Sequence, residues 1–301
     1  MTVHRKFGVE LEFGGNMSAA ITAIRDAGLS ERSSRHGYMG HSDSEFILKE
    51  DGSVYDGGEM VSPPLWFDSE EDRDKVTRAV DALRDAGMRP IESAGCHIHV
   101  DASDLTFEQV KCVIRSFHKF EDVIYRLASS GWESIRRAAY TYATPLSDGY
   151  VEKLVKARTR EEMMCAWYGH RPDEYSYASS NSRDHGHASR YAAFNLHSYF
   201  YRGTIEFRVF NSTMNPDRVQ AYIALCMGLV ADAVNGNRRS INKRYALGGM
   251  YRGETKESNA FHRLQQVLRY EAGMSLEDMK RMTMAWKDSR PQPSHNFSFR
   301  H

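Results

Sequence analysis

Three short segments of the chain place acids and bases two residues apart. Residues 7–13 read FGVELEF, residues 96–101 read CHIHVD and residues 204–210 read TIEFRVF. In an extended chain, alternate side chains point to opposite faces. Phe7, Val9, Leu11 and Phe13 then share one face, and Glu10 and Glu12 share the other. Cys96, Ile98 and Val100 oppose His97, His99 and Asp101. Ile205, Phe207 and Val209 oppose Thr204, Glu206, Arg208 and Phe210. Each segment thus has an apolar side for a core and a second side that lacks the Lys, Thr and Ser of an ordinary solvated sheet. Glutamates at i and i+2 lie ~7 Å apart at their α-carbons. Their carboxylates can converge on one divalent ion or hold two neighbouring ions. Carboxylates gathered in one cleft repel and take up protons unless cations neutralise them. Oxygen ligands joined by histidine suit Mg²⁺ or Mn²⁺. An arginine beside such a site stabilises a transferring phosphoryl group. Taken singly, E-x-E marks a solvated edge and E-x-R a cross-strand salt bridge. The three together, each opposite an apolar face, point to a metal site.

The elements that must hold these residues follow from periodicity and punctuation. Residues 6–13 predict a strand and 16–29 a helix, capped by Asn16 or Ser18 and ending near Gly28. Residues 31–45 form a polar connection. FILKE and GGEMVSPP are short extended pieces around a turn at EDGS, closed by Pro63-Pro64. A charged amphipathic helix covers 69–87, HIHV at 97–100 is a strand, and Ser103 or Asp104 caps a long helix to about residue 129. A short helix follows at 159–168. SYASSNSRDHGHAS at 176–189 reads as a flexible loop and candidate lid hinged at Gly186, with His185 and His187 solvated. Strands at 190–199 and 203–210 precede helices at 216–234, 258–271 and 275–286, the last opening on a Ser275-x-x-Asp278 capping box. Met279, Met282 and Met284 read as packing, and Tyr191, Phe194, Tyr199, Phe200 and Tyr201 as core. NRRSINKR at 237–244 is a short basic segment. This order of elements predicts an α+β fold, a mainly antiparallel sheet with helices on one face and an open polar face.

Among the 301 residues, 40 Lys and Arg balance 40 Asp and Glu. That balance argues against nucleic acid or anionic lipid as the main partner. The N-terminus lacks the apolar stretch of a signal peptide, and no run reaches the ~18 apolar residues of a membrane span. Cys96, Cys112, Cys165 and Cys226 are scattered and read as reduced thiols. The expected location is cytoplasmic, so the sequons at Asn16, Asn211 and Asn296 are chance matches.

E-x-E on an early strand, Asp51-Gly-Ser through Gly-Gly-Glu59-x-x-Ser-Pro-Pro64, GCHIHV, RYAAFNL and TIEFRVFNSTMNP occur in that order. Together they resemble the amidoligase family, which belongs with glutamine synthetase and γ-glutamylcysteine ligase. The acid-x-Arg strand followed by Asn215-Pro216 at a helix start is especially similar to glutamine synthetases.

The resemblance implies one catalytic domain over 1–301, with sheet motifs in 6–213, a mainly helical part at 214–287 and an irregular tail at 288–301. Its glutamine-synthetase-like sheet would form a funnel that takes ATP at one end and an acceptor at the other, with Mg²⁺ or Mn²⁺. On that resemblance Glu10, Glu206 and His97 hold the metal between the ATP phosphates, and Glu12 and Glu59 the metal nearer the acid substrate. His99 and Arg190 touch phosphate oxygens, Arg208 steadies the γ-phosphoryl group, and Asn195 binds nucleotide or substrate. Asp51 and Ser53 orient the amine. The implied activity joins a carboxylate to an amine through an acyl phosphate. The substrates implied are small-molecule, peptide or protein acids and amines, with no nucleic acid or membrane partner and with homo-oligomerisation open. Glutamine synthetases use a further glutamate upstream of the position of Glu59, for which only Asp51 or Asp56 is at hand, so the acid substrate stays open. Two other readings stand beside this one, a phosphotransferase like the guanidino kinases and a catalytically inactive binding module.

Overall fold

The computed structural model describes residues 3–31, 35–36, 42–52, 54, 56–129, 142–236 and 254–289. Among these, eight strands form one sheet. They are β1 (Lys6–Gly14), β2 (Arg35–His36), β3 (Ile47–Lys49), β4 (Gly57–Val61), β5 (Leu65–Trp66), β6 (Gly95–Asp101), β7 (Phe194–Asn195) and β8 (Thr204–Asn211). The order is β2-β3-β4-β1-β6-β8-β7, with β5 also paired to β1. Only the β2–β3 pair is parallel. The architecture is α+β with a mostly antiparallel open sheet.

One face of this sheet is the core. Phe7, Val9, Leu11 and Phe13 of β1 are at most 2% exposed, as alternation requires. Helices α2 (Glu70–Asp85), α3 (Phe107–Ala128) and α8 (Pro216–Val234) stack on that side. α8 is buried around nearly its whole circumference because α2, α3, β6 and α10 (Leu276–Asp288) all pack against it. Phe117 of α3 meets Phe194 and Phe207 at ring distances of 5.0 and 5.9 Å. The remaining helices are α1 (Met17–Asp26), α4 (Asp148–Lys156), α5 (Arg160–Trp167), α6 (Tyr175–Asn181), α7 (His197–Arg202) and α9 (Glu254–Gln266). No helix among the described residues is long and apolar enough to cross a membrane. None of the four cysteines is in a disulfide, and Cys96, Cys165 and Cys226 are buried.

Several expectations from the sequence are corrected. The long helix α3 is capped by Thr106, with Gln109 completing the capping box, and not by Ser103 or Asp104. Asp104 is engaged elsewhere in a two-pronged pair with Arg5 at 2.5 and 2.9 Å, and the Ser103 hydroxyl donates to Asp101. The 176–189 segment is partly helical, with α6 followed by a 3₁₀ turn at Ala188–Tyr191. The strand expected at 190–199 shrinks to Phe194–Asn195. There the Asn195 side chain accepts from the His197 amide and turns the chain into α7, which Gly203 ends at φ 82°. Helix α4, capped by Ser147, was not foreseen. Ser53, much of the 31–45 connection, the 237–244 basic segment and the tail beyond 289 lie outside the described residues.

Phe210 also departs from strict alternation. The β6–β8 register pairs Ile98 with Phe207 but Cys96 with Phe210, so β8 carries an extra residue there. This bulge turns Phe210 to the core, stacked on Tyr222 of α8 at 4.2 Å, instead of beside Glu206 and Arg208.

Candidate active site

The sheet register brings the charged residues of five strands together on the polar face. Glu10 lies opposite His97 and Glu12 opposite Glu59. His99 and Asn195 both lie opposite Glu206, and Lys49 is opposite Glu59. The approach to Glu59 depends on two glycines. Any Cβ at Gly57 would collide with the Phe13 carbonyl, and one at Gly58 with Met17. Asp56, just before them, sits at φ 62°, a left-handed conformation that Asp tolerates.

Distances within the cluster are short. His97 Nδ1 is 3.5 Å from Glu10 and 3.9 Å from Glu206, while its Nε2 is 3.5 Å from Glu12. His99 Nε2 is 3.4 Å from Glu10 and 4.0 Å from Glu206. Arg208 Nη1 donates to Glu206 at 2.6 Å, and Asn195 Nδ2 donates to the other Glu206 oxygen at 2.8 Å. The Gly95 amide donates to Glu12 at 2.5 Å. Lys49 Nζ is 2.8 Å from Glu59. Glu12, Glu59, His97, His99, Glu206, Arg208 and Asn195 are all buried.

Burial alone would push the acids of such a cluster up, and neighbours decide the outcome. Burial raises Glu10, but His99 and His97 outweigh it and hold Glu10 well below the usual carboxylate range. Glu206 is likewise opposed by burial and drawn down to about 2 by Arg208 and His99. Glu59 goes the other way. Burial and the charges of Glu10 and Glu12 exceed the pull of Lys49, and its carboxyl is held well above its ordinary value. Burial and the Arg208 guanidinium lower His97, keeping the ring neutral. Arg208 is held charged against its burial by Glu206.

Three sets of donors have ligand atoms within 4.8 Å of one another: Glu10–His99–Glu206, Glu10–Glu59–His97 and Glu12–Asp51–Glu59. They form a chain linked through Glu10 and Glu59. The Nε2 atoms of His97 and His99 are buried and make no hydrogen bond, although each faces a carboxylate oxygen at 3.4–3.5 Å. Imidazole nitrogens and carboxylate oxygens around one point are the donors a Mg²⁺- or Mn²⁺-type ion takes. The residues therefore fit such ions. The grouping differs from the resemblance in the histidines and in Asp51, which falls with Glu12 and Glu59. His99 completes the Glu10–Glu206 set, and His97 joins Glu10 and Glu59.

These side chains line a cleft of about 320 Å³. The cleft contains Glu10, Glu12, Glu59, His97, Glu206, Arg208, Asn195, Arg190 and Asp51 from the sequence reading. His99 lies beneath it, against Glu10 and Glu206. Of the two candidates for an additional acid, Asp51 is in the cleft; Asp56 is in the turn before β4 and does not line it. Other lining residues were missed. Lys49 had no signal beyond its place next to the EDGS turn. His185, read as solvated, and Tyr191 and Tyr201, read as core, face the cleft together with Tyr142, His197 and Arg202. His187 instead packs edge-on against Tyr168. No local pattern distinguishes a cleft aromatic from a core one when both sit in short helical turns.

The site is a carboxylate-rich cleft lined by the Arg208 guanidinium on the open face of a mostly antiparallel sheet. The chain belongs to the amidoligase family: residues 3–230 match the family model described as "Putative amidoligase enzyme". The match runs from the strand before Glu10 through Arg208 and into α8, so it includes every residue of the cleft. No curated protein matches the chain.

Proposed function

We propose that the protein is an ATP-dependent carboxylate–amine ligase with a sheet of the glutamine synthetase and γ-glutamylcysteine ligase type. The observation that carries this reading is the convergence of Glu10, Glu12, Glu59, His97, His99 and Glu206 with Arg208 on one polar sheet face. In the reaction a substrate carboxylate attacks the γ-phosphorus of ATP, giving an acyl phosphate and ADP. An amine then attacks the acyl carbon, phosphate leaves and the amine's proton passes to a base, so an amide remains.

Divalent ions, when bound, offset charge on the attacking and leaving oxygens of phosphoryl transfer. Glu10, Glu206 and the histidines would hold one ion, and Glu12 and Glu59 a second, with Asp51 beside it. Arg208, fixed by Glu206 and by the Tyr142 carbonyl at 3.2 Å, presents positive charge where the phosphoryl group loosens. Arg190 at the cleft wall would contact phosphate oxygens. Asn195, bonded to Glu206, aligns that carboxylate and faces the nucleotide. Asp51 accepts from the incoming amine.

Calorimetric titration of a non-hydrolysable ATP analogue, with and without Mg²⁺, tests the reading. Binding should require the metal and fall at least about tenfold in Glu206→Gln and in Arg208→Ala, each of which removes a charge-assisted contact. Hydroxylamine should trap the acyl phosphate once a substrate acid is found. Folded wild-type protein that binds no nucleotide under either condition would sink the proposal.

A further inference from the structure

Lys49 closes β3 directly opposite Glu59. Its ammonium lies 2.8 Å from Glu59 Oε2, and the two side chains are 16% and 3% exposed. Glu59 belongs to two of the three donor sets, one with Glu10 and His97 and one with Glu12 and Asp51. The same carboxylate therefore faces two kinds of cation. An ammonium and a divalent ion repel each other, and a buried carboxylate does not keep both in contact. The ion carries twice the charge and draws on several donors at once, whereas the ammonium is a single charge on a flexible stem. The ladder to β4 holds the Lys49 backbone in place, so the ammonium is the part that moves. The cleft it would enter is also lined by His185, Arg190 and Arg202. Lys49 already feels the Arg202 charge. Beside the two arginines, a further cation on that wall needs an anion.

We infer that Lys49 is a metal-released anion contact. It is held at Glu59 in the metal-free protein, and an ion taken up there frees the ammonium to bind a substrate oxyanion in the cleft. This rests on the metal-dependent reading above and adds an order of events, in which the metal at Glu59 is bound before the anion. The oxyanion is a carboxylate or a phosphate group, which share the chemistry an ammonium recognises.

Mn²⁺ titration of the full chain, followed by electron paramagnetic resonance, tests the first half in wild type, Lys49→Met, Glu59→Gln and the double variant. Lys49→Met should tighten the Glu59-dependent site by about tenfold, since a competing cation is gone. The Glu10–His99–Glu206 site, which the Lys49 charge reaches only through Glu10, should change far less and serves as the check on folding. Lys49→Arg keeps the charge and should retain the weaker binding, and Lys49→Met should have no effect when Glu59 is Gln. Phosphate and acetate, titrated separately into the Mn²⁺-saturated protein, test the second half. One of them should bind at least about fivefold more tightly to wild type than to Lys49→Met, with the difference lost without Mn²⁺. The anion that shows it identifies the group Lys49 meets. Unchanged or weaker Mn²⁺ binding in Lys49→Met would overturn the inference and leave the ligase reading intact. Anion binding indifferent to Lys49 would overturn the release. Absence of Mn²⁺ binding from wild type and Lys49→Met alike would remove the metal-dependent function, and the inference with it.

Discussion

Glu10 and Glu59 are neighbouring carboxylates pushed in opposite directions. Glu10 has two histidines at its oxygens, while Glu59 has two other carboxylates near it and only Lys49 in opposition. A carboxyl raised above its ordinary 4.5 contributes stability while protonated, complete below about 4.5 and lost as pH rises through the raised value. Glu206, drawn down to about 2, contributes stability that is complete above about 4.5 and lost as pH falls through about 2. Above about 4.5 Glu206 adds no further slope, and the raised Glu59 is opposed by His197, which burial holds down at about 4. Metal-free protein should therefore lose heat stability relative to Glu59→Gln as pH rises from about 4.5 toward neutrality, and Mn²⁺ should reverse the loss. Uptake of the ion at Glu59 should release protons, measurable by calorimetry in two buffers of different ionisation enthalpy. An equal heat in both would contradict the raised Glu59. Glu59→Gln should remove this component and leave the melting temperature rising with pH, as the lowered His97, His185 and His197 dictate, and should weaken Mn²⁺ uptake.

At the scale of elements, the site depends on how closely β4 approaches β1. Gly57 and Gly58 allow it, and Glu59 follows at once. Gly57→Ala would force the new methyl group against the Phe13 carbonyl. It should cost about 2–3 kcal/mol in urea unfolding and weaken Mn²⁺ binding, because β4 must shift to relieve the clash. A variant as stable as wild type would show that the strand pair yields without strain. The capping box of α3 offers a contrast. Thr106→Ala should cost about 1 kcal/mol and leave metal binding alone, since the helix lies on the opposite face of the sheet. The bulge in β8 acts at the same scale, sending Phe210 to the core while Glu206 and Arg208 stay in the cleft.

Across the whole molecule, the helices after residue 230 lie beyond the family match yet share its core. Arg73 of α2 links them to the sheet layer. It pairs with Asp278 of α10 at 2.5 Å and donates to Gln220 of α8 at 3.0 Å. Asp278 is 1% exposed and also accepts from the Ser275 hydroxyl at 2.6 Å. Arg73→Ala would leave a buried carboxylate short of its cation and should cost about 3 kcal/mol. Nucleotide and metal affinities should hold, because no residue of this link touches the cleft. Loss of affinity in a folded Arg73→Ala protein would mean that the C-terminal helices shape the site from behind.

The sequence by itself determined which face of each long strand is core, because Phe7, Val9, Leu11 and Phe13 leave no other choice of register. It also made the ligand-bearing segments legible: E-x-E, H-x-H and E-x-R are read from period-two alternation, and their residues do meet on one face. Well-capped helices such as α2, α8 and α10 could be read for the same local reason. What only the tertiary structure decided are matters of long-range pairing. The β6–β8 bulge turns Phe210 inward, Asp104 goes to Arg5 and leaves Thr106 to cap α3, and α7 interrupts the strand expected at 190–199. The register of β3 on β4 sets Lys49 on Glu59, and the 3₁₀ turn at 188–191, the segment before it and α7 bring Tyr191, His185 and Tyr201 to the cleft. None of these follows from neighbours in the chain, because each is settled by a partner many residues away whose competing hydrogen bond, charge or packing surface is the stronger.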